Sequence, residues 1–155
     1  MESRITGHTR LFGLIGSPVG HSGSPAMYNY SFEKLGLDYR YLAFDIKEED
    51  TKKAIEALKM MNFRGCNITM PGKTVAASCC DELSKAAELT GAVNTIVNED
   101  GKLVGHITDG TGYMRALSEA GIDIIGKKMT VLGAGGAATA LCVQAALDGV
   151  KAISI

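Results

Sequence analysis

The stretch Met129-Thr130-Val131-Leu132-Gly133-Ala134-Gly135-Gly136-Ala137-Ala138 decides the fold class. Its first four residues are mostly apolar or β-branched and read as a strand, whereas residues 135–147 read as a helix. Between them lies Gly133-x-Gly135-x-x-Ala138, the spacing of a dinucleotide-binding turn in its proper strand-to-helix context. Gly133 would allow the tight turn and Gly135 the close approach of a pyrophosphate, with the helix N-terminus supplying amide donors and a favourable dipole. The alternative, that these glycines only let a helix pack closely on a strand, stays open on local sequence. Residues 152–155 begin another strand, so this end of the chain reads as one β-α-β unit of an incomplete Rossmann-type fold. The residue that separates NAD from NADP is expected about 20 positions past such a turn, where the sequence stops at Ile155.

Outward from that unit, strands and helices alternate. Residues 11–16 read as a buried strand running into a loop, and residues 24–35 as a helix with Met27, Tyr28, Phe32 and Leu35 at helical spacing, Pro25 in its first turn and Gly36 as its stop. A strand over 39–46 precedes an amphipathic helix over 48–61, which places Ile55, Leu58 and Met61 on one face. Residues 65–69 return to strand, helices follow over 74–80 and 81–89, and a strand over 92–97 turns at Asn98-Glu99-Asp100-Gly101 into a strand over 102–106. A helix over 109–120 ends at Gly121. The alternation predicts an α/β protein with a three-layer first domain built on a largely parallel sheet. The domain boundary is expected near the start of the helix over 109–120, dividing residues 1–107 from residues 108–155.

Composition excludes several classes of function. The 155 residues carry 16 Lys and Arg against 17 Asp and Glu, a net charge of -1, so nothing marks an electrostatic footprint for nucleic acid or an anionic membrane. No apolar run approaches the roughly 20 residues of a membrane span, and the polar first ten residues lack a signal-peptide pattern. A cytoplasmic location, small-molecule substrates and protein partners are the expectation. Cys66, Cys79, Cys80 and Cys142 lack zinc-like spacing and read as reduced and structural, the adjacent pair lying in a helix with at least one thiol buried. His21 and His106 have no metal-like spacing and read as structural, His8 belongs to a mobile tail, and no metal is called for.

Several polar residues invite a chemical reading beside a structural one. Ser22 and Ser24 flank Gly23 in a loop after a strand; their hydroxyls can converge on a carboxylate, or Ser24 can cap the helix that follows. Lys73 follows Pro71-Gly72 where a strand's carboxyl end opens into a cleft, although a lone lysine is ordinarily a solvated one. Asp109 either serves the start of its helix or faces the cleft. Asn94, in an apolar strand, needs partners, which a bound hydroxyl or a neighbouring backbone supplies equally well.

The motifs Gly20-His21-Ser22-Gly23-Ser24-Pro25, Asn67-Ile68-Thr69-Met70-Pro71-Gly72-Lys73, Gly91-Ala92-Val93-Asn94-Thr95 and Thr108-Asp109-Gly110, followed by the glycine loop, resemble in kind and order the shikimate and quinate dehydrogenase family. The resemblance runs from Phe12 to Ile155. It implies that Ser22 and Ser24 hold a substrate carboxylate, that Thr69 binds substrate, that Lys73 is catalytic, and that Asn94 and Asp109 bind ring hydroxyls with Asp109 paired to Lys73. It also implies that Gly133, Ala134, Gly135, Gly136 and Ala137 carry the pyrophosphate of NADP or NAD. The implied reaction is reversible reduction of 3-dehydroshikimate to shikimate, a step toward chorismate and the aromatic amino acids, with quinate as a second substrate. On this reading residues 1–107 form the substrate-binding catalytic domain and residues 108–155 the first part of the NAD(P)-binding domain.

The sequence departs from the family pattern at Gly23, Tyr28, Gly72 and Ile107, where leucine, histidine, a larger residue and asparagine are common. Gly23 and Gly72 are expected to loosen the two loops beside the site, and the residues around Ile107 look more like the quinate/shikimate branch. The chain is expected to be a fragment with little activity alone, and its unfinished β-α-β unit to promote self-association or dimer formation. Two other readings use the same residues: a non-catalytic module that captures a cyclic polyhydroxy carboxylate, and a different two-domain dehydrogenase such as one acting on a folate. The paired-serine loop argues against the second.

Overall fold

The computed structural model describes residues 5–155; residues 1–4, at the head of the polar N-terminal stretch, lie outside the described residues. The chain runs β1 (Arg10–Gly16), α1 (Ser24–Lys34), β2 (Tyr39–Asp45), a 3-10 turn (Glu48–Asp50), α2 (Thr51–Met60), β3 (Gly65–Ile68), α3 (Lys73–Ala77), β4 (Glu82–Leu83), α4 (Lys85–Thr90), β5 (Thr95–Glu99), β6 (Lys102–His106), α5 (Asp109–Glu119), β7 (Lys128–Thr130), α6 (Gly136–Leu147) and β8 (Ala152–Ser154). Strands β1 to β6 form one sheet in the order β2-β1-β3-β5-β6-β4, and β7 and β8 pair separately. The β1–β2, β1–β3, β4–β6 and β7–β8 pairs are parallel; only β5 runs against its neighbours β3 and β6.

Alternation along the strands sends side chains to two cores. On one face Ile15, Cys66, Ile68 and Ile96 pack with Ile55 and Leu58 of α2, Ala76 of α3, Ala87 of α4 and Ala140 of α6. On the other, Leu14 and Tyr41 pack with Tyr28 and Phe32 of α1, and the Tyr28 and Tyr41 rings stack at 4.5 Å. The sheet with helices on both faces is the three-layer α/β arrangement that the alternation predicts. Each fully buried Ile or Val contributes about 1.5–3 kcal/mol relative to exposure, whereas an exposed ion pair contributes roughly 0–1 kcal/mol, so apolar patterning dominates the stability.

Helix α1 stops as expected: Gly36 takes φ 67, its N–H donates to Glu33 O, and Leu37 N–H donates to Phe32 O, the paired bonds of a left-handed helix stop. The helix expected over 81–89 is corrected. Asp81 Oδ2 accepts from Leu103 N–H at 2.7 Å, and Ser84 N–H donates to Gly105 O, which draws Glu82–Leu83 into the sheet beside β6. Ser84 Oγ then accepts from Ala87 N–H and caps the shorter α4, because Asp and Ser side chains compete with helical bonding at such positions.

The cysteine expectation is also corrected in part. Cys79 and Cys80 lie just beyond α3 and are half-buried, and the deeply buried thiol is Cys66. All four cysteines are free. Burial pushes the Cys66 thiol up from 9.0 to about 12, with nearby Cys80 adding to it, and burial pushes Cys80 up to about 11; both stay protonated and weakly nucleophilic near neutral pH. His8 sits in a turn whose flanking Thr6 and Thr9 hydroxyls donate to Asp38, rather than in a loose tail.

Candidate functional site

The reversed direction of β5 builds the site. Parallel strands β1, β3 and β6 end at one edge of the sheet, and the antiparallel β5 begins there, with Thr95 opposite both Asn67 and His106. Loops carrying Ser22 and Ser24, Thr69 and Lys73, Asn94, and Thr108 and Asp109 therefore gather at a single edge. Backbone bonds hold them in register: Thr69 N–H donates to Ile15 O, Ser17 N–H to Met70 O, Ile68 N–H to Asn94 O, Asn94 N–H to His106 O, and Val93 N–H to Lys73 O.

Lys73 opens α3, and its Nζ lies 2.7 Å from Asp109 Oδ2 at the first turn of α5. The two side chains are 25% and 38% exposed, the most sheltered of the ion pairs among the described residues. The solvated-lysine reading therefore fails, whereas Asp109 does both: it is the acidic residue in the first turn of α5, whose N-cap is Thr108, and it pairs with Lys73. Screening limits the pair's contribution to stability to about 1 kcal/mol or less, so this ammonium and carboxylate are held together at little structural gain.

Asn94 completes the cluster. It stands one residue before β5, not inside a strand as expected, because its side chain faces the loop of residues 107–109. Asn94 Nδ2 donates to Asp109 Oδ1 at 3.2 Å and to Thr108 Oγ1 at 3.0 Å. Its Oδ1 accepts from Thr108 N–H at 3.1 Å and from the Thr95 hydroxyl at 3.0 Å. The amide thus fastens the start of α5 to the sheet and turns its NH2 toward the carboxylate.

Ser24 does not cap α1. Gly23 is the N-cap, without a side-chain bond, and Ser22 Oγ instead accepts from Ser24 N–H at 3.2 Å. Ser24 Oγ, at the start of α1, and Thr69 Oγ1, just past β3, have no hydrogen-bond partner among the described residues, which leaves both hydroxyls free for an acceptor such as a carboxylate. The expected loosening at Gly72 is corrected: a Cβ there would stand 2.8 Å from Oγ1 of the buried Thr51, so the absence of a side chain makes this loop tight. Ile107 is buried in the main core, where an asparagine would need partners. Asn67, Thr95, Thr108 and Tyr41 were given no role by the sequence; the available signal was polar Asn67 and Thr95 on neighbouring strands of a largely apolar sheet.

The glycine loop lies apart, between β7 and α6, and shares no hydrogen bond with the Lys73 cluster among the described residues. Gly133 takes φ 118, and Cβ atoms at Gly133, Gly135 or Gly136 would stand in open space. Gly135 is the extended N-cap of the 12-residue α6 and offers its first amides no side-chain acceptor. Such a cradle fits a dinucleotide pyrophosphate. Among the described residues no group of three His, Cys, Asp or Glu side chains is arranged to hold a metal ion, and no helix is long and apolar enough to cross a membrane.

Comparison with known proteins bears on this geometry. The shikimate dehydrogenase (NADP(+)) of Listeria monocytogenes serotype 4b (strain F2365) is 65% identical over 155 residues, all of this chain and 53% of that protein. The crystal structure of shikimate 5-dehydrogenase from Listeria monocytogenes in complex with shikimate and NAD superposes with a TM-score of 0.95 at 63% identity, over 99% of this chain and 53% of that one. The ligand-free 5-ketofructose reductase of a Gluconobacter strain gives 0.89 at 34% identity, over 96% of this chain and 53% of that one. The chain spans about half the length of these relatives. A family described as the shikimate dehydrogenase substrate binding domain matches residues 14–96, from the first core strand to the strand that follows Asn94. The chain belongs to the shikimate dehydrogenase family.

Proposed function

We propose that this chain forms the substrate site and first dinucleotide-binding unit of a shikimate dehydrogenase that reversibly reduces 3-dehydroshikimate to shikimate. Residues 1–107 are the substrate-binding catalytic domain and residues 108–155 the start of the NAD(P)-binding domain. The observation that carries this reading is the 2.7 Å Lys73–Asp109 pair at the same sheet edge as the free hydroxyls of Ser24 and Thr69. A cyclic substrate with a carboxylate at one end and hydroxyls at the other matches that distribution: Ser22 and Ser24 receive the carboxylate, Thr69 a neighbouring oxygen, and Asn94 and Asp109 the ring hydroxyls.

The nicotinamide cofactor, when bound, would supply or remove the hydride, and Gly133, Ala134, Gly135, Gly136 and Ala137 would hold its pyrophosphate. Reduction develops alkoxide charge on the former ketone oxygen. The Lys73 ammonium stabilises that charge and gives up a proton from Nζ to the oxygen, and in oxidation the neutral amine takes the proton back. Asp109 keeps the amine oriented between turnovers, and Asn94 keeps the carboxylate oriented. NADP is the preferred form, in keeping with the name of the 65% identical relative; NAD is the alternative, as in the complex named above. Quinate is a candidate second substrate. A cytoplasmic place and self-association belong to the same reading, the latter supported by Leu132, Ile122 and Ile125, which are 98%, 51% and 47% exposed around the two-stranded unit.

The test is amide mapping of the isotope-labelled chain. Shikimate is expected to shift the amide resonances of Ser22, Ser24, Thr69, Asn94 and Asp109, and NADP those of residues 133–137. Shikimate shifts confined to other parts of the chain, or none at millimolar shikimate, would overturn the assignment.

A further inference from the structure

Polar side chains run in an unbroken line from the interior to the Lys73 cluster. The Tyr41 hydroxyl, on a side chain 2% exposed, donates to Asn67 Oδ1 at 2.8 Å. Asn67 Nδ2 donates to Thr95 Oγ1 at 3.1 Å, and the Thr95 hydroxyl donates to Asn94 Oδ1 at 3.0 Å. Asn94 Nδ2 then donates to Asp109 Oδ1, whose other oxygen accepts from Lys73. The four bonds from Tyr41 to Asp109 point the same way and converge with the Lys73 bond on a carboxylate, which can only accept. A hydroxyl or amide that accepts a bond becomes a better donor to the next, so the bonds reinforce one another.

We propose that Tyr41, Asn67 and Thr95 are positioning residues that fix the Asn94 amide from the sheet side, and through it the Lys73–Asp109 pair. This rests on the reading of that pair as the place where shikimate binds. Thr108 grips the same Asn94 oxygen from the loop side. With only that grip the amide would turn with the loop. Thr95 lies on β5, hydrogen-bonded to both β3 and β6, so its opposing bond ties the amide plane to a strand paired on both sides. Burial, reinforced by nearby Tyr28, pushes the Tyr41 phenol above its ordinary range, which keeps its proton in place as the first donor.

The test uses the 155-residue chain with Thr95→Val, which removes the hydroxyl at nearly constant volume, Thr95→Ser, which keeps it, and Tyr41→Phe. Two quantities are read: the side-chain NH2 resonances of Asn94 without ligand, and the shikimate Kd. Thr95→Val is expected to shift the Asn94 resonances and to weaken shikimate binding roughly three- to tenfold, the equivalent of one hydrogen bond. Thr95→Ser should restore both, and Tyr41→Phe should move both in the same direction by less. Unchanged Asn94 resonances in Thr95→Val, or a Thr95→Ser chain that behaves like Thr95→Val, would overturn the positioning role. Should the unmodified chain fail to bind shikimate, the function proposed for the pair falls separately, and the ligand-free Asn94 resonances still decide for or against the relay.

Discussion

Lys73→Met is expected to lower turnover by roughly 10²–10⁴-fold, the usual contribution of a positioned acid-base group, while weakening shikimate binding only several-fold. A suitable background is a fusion of this chain with the C-terminal half of the Listeria monocytogenes relative, which shares 65% identity over the present residues. The asymmetry follows from the geometry. Lys73 Nζ is held by Asp109 at 2.7 Å, so its attraction for a ground-state hydroxyl is partly spent on the carboxylate. Its larger gain comes when negative charge develops on the reacting oxygen. Methionine keeps most of the unbranched apolar stem of lysine and removes the ammonium group with its charge and N–H donors. Turnover within a fewfold of the unmodified fusion would contradict the proton-transfer role of Lys73.

A second large effect is expected at Gly110, the buried residue of α5. A Cβ at this position would stand 2.5 Å from Ala140 O and closer still to Gln144 Cβ, so α5 and α6 meet here backbone to backbone. Ala140 reaches into the main core from α6, the helix that follows the glycine loop. Gly110→Val must push the helices apart, at a cost of about 1–3 kcal/mol for overpacking and a fall in Tm of several degrees for a chain of this size. It should also weaken shikimate binding, since Asp109 is the adjacent residue. Gly112→Ala, where an added Cβ meets nothing within 4 Å, should leave Tm unchanged or raise it slightly by better helix propensity. Equal Tm values for Gly110→Val and the unmodified chain would show that the α5–α6 contact is looser than described.

Local periodicity made most of the fold legible. The apolar spacing of residues 51–60, the Pro25 and Gly36 punctuation of α1 and the turn at residues 98–101 are properties of neighbouring residues, and the corresponding elements lie within a few positions of the expected ones. Reading failed where a side chain competed for the backbone. Asp81 and Ser84 turned an expected helix into a short strand and a capped helix, and Ser22 Oγ takes the Ser24 N–H while Gly23, not Ser24, stands at the N-cap of α1.

The site was legible as a set of residue types, less so as an arrangement. Lys73 and Asp109 are 36 residues apart, and no spacing rule joins them. What joins them is the antiparallel insertion of β5, which returns Asn94 and then Thr108 to the edge where β3 delivers Lys73. Taken locally, Lys73 reads as a solvated lysine and Asp109 fits a helix start as well as a cleft, and only the family resemblance pairs them. Thr95 and Asn67 escaped notice because a strand threonine and asparagine, taken singly, are ordinary; their meaning lies in the cross-strand register that sets one opposite the other.

The most direct measurement is a calorimetric titration of this chain with shikimate, with quinate in parallel, repeated on Lys73→Ala and Asp109→Ala. Saturable binding to the unmodified chain, weakened several-fold by each substitution at an unchanged fold, is the expected result. Binding that neither substitution disturbs, or no binding by a chain that is folded, would contradict a shikimate site built on Lys73 and Asp109.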